Sequence, residues 1–106
     1  MPKYLFEARY SAEGVQGITE KGGSARVEAV RQAFDAVGGK LESFHFAFGD
    51  ADVYAIGELP DNETVTALAL AINGDGRTKV KTVVLLTPAE VDAAARRSVE
   101  YRGPGS

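Results

Sequence analysis

Along residues 3 to 10, KYLFEARY, apolar and polar positions alternate. Tyr4, Phe6, Ala8 and Tyr10 share one face, and Lys3, Leu5, Glu7 and Arg9 share the other. Period two marks a half-buried strand with the aromatic set inward. Residues 11 to 23 hold four glycines and no clear period, so they read as a loop. Ser24 then offers a helix N-cap. Val27, Val30, Phe34 and Val37 follow at helical spacing, until Gly38-Gly39 stops the helix.

Residues 40 to 48, KLESFHFAF, predict a second strand, and residues 53 to 59, VYAIGEL, a third. An even turn between them puts Phe48 on the face of Val53, Phe46 with Ala55, and Phe44 with Gly57. Ser43, His45, Ala47, Tyr54, Ile56 and Glu58 then lie on the other face. A three-residue loop would invert the assignment. The even loop is preferred because it sends three phenylalanines, Phe46 among them, into the core. Pro60 ends the strand and Asp61 caps a helix striped by Val65, Leu68, Ala69 and Ile72, which Asn73-Gly74-Asp75-Gly76 terminates. Residues 77 to 86 predict a fourth strand, with Val80, Thr82, Val84 and Leu86 on one face. Thr87-Pro88-Ala89-Glu90 combines a capping threonine, a proline at the first helical position and a glutamate that reaches back. The Ala-rich helix it opens is expected to run to about residue 100, with a weak apolar stripe suited to a domain edge or a partner subunit.

The order strand, helix, strand, strand, helix, strand, helix predicts an α+β domain. It is a ferredoxin-like βαββαβ sandwich with an added C-terminal helix, the first and third strands central and both main helices on one side. Residues 1–102 form the single domain and 103–106, Gly-Pro-Gly-Ser, a flexible tail.

Composition removes several classes of function. The 106 residues carry no cysteine, which excludes disulfides, thiolate metal sites and cysteine nucleophiles. A net charge of −3 argues against a broad nucleic-acid or anionic-membrane footprint. No apolar run approaches a membrane span. The strand pattern begins at residue 3, so no signal peptide is expected and a cytoplasmic location is the default.

Five stretches carry a resemblance. They are Gly23-Ser24, Gly38-Gly39-Lys40, Phe46-Ala47-Phe48-Gly49 with Asp52, Leu59-Pro60-Asp61-Asn62, and Leu85-Leu86-Thr87-Pro88-Ala89-Glu90. Spread in this order over nearly the whole chain, they resemble the GYD-domain family. The Gly-Tyr-Asp motif that names the family departs here, with Ala51 at the tyrosine position between Gly49 and Asp52. The resemblance implies a ferredoxin-like domain whose sheet faces pair in a dimeric α/β barrel. It implies no activity.

Candidate chemistry falls into three groups. The sheet face away from the helices carries Glu7, Arg9, Ser43, His45, Tyr54, Glu58, Lys79 and Lys81 among Leu5, Ile56, Val83 and Leu85. Pairing two such faces would bury roughly 800 Å² per partner, and charges enclosed there must pair. The face is either a dimer interface laced with ion pairs or a polar cavity in which His45 titrates. As the only histidine, His45 is the general acid–base candidate, with Glu58 or Glu7 to orient it and Tyr54 or Arg9 to polarise a substrate. Second, Lys21-Gly22-Gly23-Ser24 with Arg26 could hold an anion at a helix start, though a capped helix explains the same residues. Third, Tyr4, Tyr10, Phe44, Phe46 and Phe48 could line a pocket between helices and sheet, or form plain core. Asp50 and Asp52 are read as structural turn residues. One histidine and scattered carboxylates give no metal-ligand spacing, and no cofactor motif is present.

Three functions follow: a homo-oligomeric domain that binds a small organic molecule, a cofactor-independent isomerase or monooxygenase-like enzyme using His45, or a structural or regulatory interaction protein. The partners expected are a second copy and a small-molecule ligand, without nucleic acid or membrane.

Overall fold

The computed structural model describes residues 1–106. Its elements run β1 (Lys3–Tyr10), α1 (Ala12–Lys21), α2 (Gly23–Ala36), β2 (Lys40–Phe46), β3 (Val53–Glu58), α3 (Asn62–Asp75), β4 (Thr78–Leu85) and α4 (Pro88–Ala95). The strands form one antiparallel sheet in the order β2-β3-β1-β4, so β1 and β3 are central as the pattern predicts. The chain is an α+β, ferredoxin-like domain with an extra C-terminal helix.

The alternation in β1 sets the core. Tyr4, Phe6 and Ala8 are buried on the helix-covered face, joined by Val53 and Ala55 of β3 and by Phe34, Val65 and Leu68 from the helices. The Phe6 and Phe34 rings meet edge to face with centroids 5.3 Å apart, a geometry that aromatic quadrupoles favour. Phe34 lies directly over Gly57. A Cβ there would stand 2.3 Å from its ring, so only glycine admits the contact. Buried Tyr4 satisfies its hydroxyl by donating to Asn62 Oδ1 at 2.8 Å, which fixes the start of α3 on the sheet. Asp61 caps α3 by accepting from the Thr64 backbone N–H and hydroxyl, and these bonds hold its carboxyl below the ordinary range.

Four expectations are corrected. Residues 12–21 are not loop but helix, because Ser11 Oγ accepts from the Gly14 N–H while Glu13 and Lys21 sit at the ends that suit their charges. Ser24 is not the cap of α2. That helix begins at Gly23, with Gly22 as the joint between two helices. Gly22 holds φ +90°, a left-handed value that favours glycine, and its N–H donates to Ile18 O. The hairpin loop is even but longer than predicted. Phe46 pairs with Val53 and Phe44 with Ala55, and a bulge between Leu41 and Ser43 returns Leu41 to the core. Phe48 consequently leaves the sheet and is fully exposed, while Phe46 is 43% exposed with its ring against Gly23. Finally, α4 stops at Ala95 rather than near residue 100, where its last bonds tighten to Arg96 N–Ala93 O and Arg97 N–Ala94 O.

The predicted Thr87/Glu90 capping box is present, yet α4 buries no residue. The chain's radius of gyration is 17.0 Å, against roughly 13 Å for a compact domain of this length.

Burial ranks the phenylalanines. Phe34→Ala should cost about 3–5 kcal/mol by opening a cavity over Gly57, and Phe48→Ala less than about 0.5 kcal/mol, as for a surface site. Urea unfolding of both variants measures the difference; equal losses would contradict the assigned core.

Candidate functional site

The helices divide over the sheet. α2 lies on the β2 side and α3 on the β4 side, with α1 leaning on α2 and on β1. The side chains between them are small. On α2, Ala25, Ala29 and Ala33 recur every four residues and make one face; Gly14 and Gly17 on α1 and Ala71 on α3 line the same space. Residues this small leave an open cleft of about 700 Å³, within the range typical of small-molecule sites.

The floor of the cleft is formed where β1 ends and β4 begins, by Tyr10, Arg26, Ile72 and Thr78. The same four residues line a second, apolar crevice of about 40 Å³ that runs between helices and sheet toward Phe44, Val53 and Ala55. Arg26 lies 5.7 Å from the centre of the Tyr10 ring, and one of its Nη atoms donates to Thr78 Oγ1 at 3.4 Å. Its Nε is buried and has no acceptor. None of the four ion pairs in the chain involves it.

Tyr10 is held by Asp52. The Tyr10 backbone N–H donates to Asp52 Oδ2 at 2.9 Å, the Asp52 N–H to Ala8 O at 2.8 Å, and the Ala47 N–H to Asp52 O at 2.8 Å. One aspartate thus ties the long β2–β3 loop to the end of β1, and the structural reading of Asp52 holds. Ala51, beside it, is buried. The Asp50 carbonyl accepts from Arg9 Nη1.

The predicted site residues divide between two places. Tyr10, Lys21 and Arg26 come together in the cleft. The anion idea for residues 21 to 24 changes form, because the Gly22 N–H is spent on α1 and Arg26 reaches the sheet instead. Of the proposed aromatic pocket, Tyr10 and Phe44 line the crevice; Tyr4 is core, and Phe46 and Phe48 are exposed.

The remaining candidates lie on the helix-free face. His45 pairs with Tyr54, Tyr54 with Glu7, and Glu7 with Lys81, one row across all four strands. Lys81 Nζ stands 3.9 Å from Glu7 Oε2. His45 is exposed, its side chain forms no hydrogen bond with the chain, and it lies outside both cavities, as do Arg9 and Tyr54. Glu58 stands beside Lys3 and Lys40, two positions along β3 from Ile56. Three or more histidine or acidic side chains nowhere converge as a metal site would require. Ala29 and Thr78 were not anticipated as cleft residues. The alanine spacing on α2 was the available signal.

The architecture is that of a helix-backed antiparallel sheet of the ferredoxin-like class, with a cleft on its covered side. The GYD domain family model matches residues 4–95, and the chain belongs to that family. No curated protein matches it. No helix is long and apolar enough to cross a membrane.

Removing the Asp52 carboxylate strands the Tyr10 N–H. Asp52→Ala should lose about 1–3 kcal/mol and Asp52→Asn less, since its amide oxygen can still accept. Denaturant titration tests this; an unchanged midpoint for the alanine variant would show that the loop is not anchored through Asp52.

Proposed function

We propose that this GYD domain binds a small organic molecule in the cleft between α1, α2 and α3. The observation that carries the reading is the cleft itself. It is large enough for a ligand, floored by an aromatic ring and a guanidinium, and continuous with an apolar crevice. No observation favours a reaction over binding, because His45 has no carboxylate within hydrogen-bond distance to orient it.

We also propose that the chain works as a homo-oligomer. Leu5 faces Ile56 on one side and Val83 on the other, with Leu85 beyond, and this apolar set lies on a sheet face that no helix covers. α4 projects without burying a residue, as an arm that reaches a neighbour would. A second sheet face of the same composition would cover both.

Two measurements follow. In amide NMR with a mixed fragment library, binders should shift Gly17, Ala25, Ile72 and Thr78 and leave His45 and Tyr54 unmoved; shifts confined to the sheet face would contradict the cleft reading. In sedimentation equilibrium, Ile56→Asp should weaken assembly far more than Val27→Ala, which removes one helix contact. A native chain that stays monomeric at micromolar concentration would defeat the oligomer.

A further inference from the structure

The cleft contains a charge without a partner. Arg26 enters from the first turn of α2, and its guanidinium lies between the Tyr10 ring and Thr78. Its Nε is buried without an acceptor, and no carboxylate lies within 4.0 Å of it. Arg26 is half-buried, and a guanidinium whose Nε is withdrawn from water without an acceptor favours a ligand that supplies the opposite charge. No carboxylate of the protein pairs with it, and the residue lines both the cleft and the crevice.

The other lining charges restrict what that something is. Glu13, Glu20 and Lys21 line the cleft, and Arg77 is already paired with Asp75 at 3.1 Å. With Asp75 and Arg77 paired, Glu13 and Glu20 remain against Lys21 and Arg26, and of these four only Arg26 also lines the crevice. Glu13 and Glu20 leave the lining without the net positive charge that suits a phosphate dianion or polyphosphate. A single carboxylate needs only the Arg26 fork, whose parallel N–H groups match its two oxygens. The adjoining crevice, lined mainly by apolar side chains and about 40 Å³ in volume, suits a short hydrocarbon segment.

We propose that Arg26 anchors a monocarboxylate, with the rest of an apolar organic acid lying along the alanine face of α2 and into the crevice beside Phe44. This rests on the cleft being the ligand site and adds the chemical class of the ligand.

Isothermal titration of the full chain with hexanoate, hexanamide, hexylamine and inorganic phosphate tests it, repeated on Arg26→Gln and on Ala29→Phe. Ala29 is exposed on the cleft wall, so the phenylalanine fills the cleft without entering the core. Hexanoate should bind, and Arg26→Gln should weaken it by about tenfold to a hundredfold, the range of a hydrogen bond to a charged group. Ala29→Phe should abolish it. On the native chain alone, hexanamide and hexylamine should bind at least about tenfold more weakly than hexanoate, a comparison that needs no variant to fold. Hexanamide binding as tightly as hexanoate, lost in Ala29→Phe but kept in Arg26→Gln, would overturn the carboxylate class and leave the cleft as a ligand site. Phosphate binding as tightly as hexanoate would overturn the monoanion preference. No binding by hexanoate would overturn the proposal, while the fragment library tests the cleft independently.

Discussion

Everything in this domain depends on β1 being paired on both sides, with β4 along its whole length and with β3 from Lys3 to Ala8, while its side chains alternate strictly. Because β1 lies between β3 and β4, Tyr4, Phe6 and Ala8 fall at the centre of the covered face. A large aromatic set there draws the helices to one side and defines a single core. The same alternation places Leu5, Glu7 and Arg9 on the opposite face, where the protein supplies no cover. One strand therefore produces both a closed layer and an open one, and a one-residue slip would exchange them.

The end of β1 links this constraint to the cleft. Tyr10 is the last inward position of the strand, and the core no longer closes over it because α1 and α2 present glycine and alanine where a packed interface would have larger side chains. Tyr10 is held by Asp52 from below and faces Arg26 from above. The long β2–β3 loop thus reaches the cleft floor without entering it.

Much of this was legible in the chain. The alternation in β1, the Asp61 cap and the Thr87/Glu90 capping box each rest on local chemistry that few alternative structures satisfy, and each is present. The parity of the β2–β3 hairpin was legible because a buried face fixes it. Its length was not: Asp52 draws residues 47 to 52 toward β1 by long-range hydrogen bonds that no local pattern records, leaving Phe48 outside the sheet. Helix α1 was hidden by Gly14 and Gly17, each of which weakens a helix by about 1 kcal/mol, although Ser11, Glu13 and Lys21 mark its two ends. Of the site, Tyr10, Lys21 and Arg26 could be singled out by residue type, but their convergence could not, since Arg26 and Thr78 lie 52 residues apart.

The proposed division into a ligand face and an assembly face can be tested directly, because the chain has no cysteine of its own to interfere. Single-cysteine variants Ala29→Cys and Ile56→Cys place one thiol in the cleft and one on the open sheet, and their rates of reaction with a soluble disulfide reagent report access to each. If the two faces work separately, the Ile56→Cys thiol becomes protected as protein concentration rises through the assembly range, while the Ala29→Cys thiol reacts at one rate throughout. An Ile56→Cys thiol equally reactive at every concentration, or an Ala29→Cys thiol that assembly protects, would contradict it.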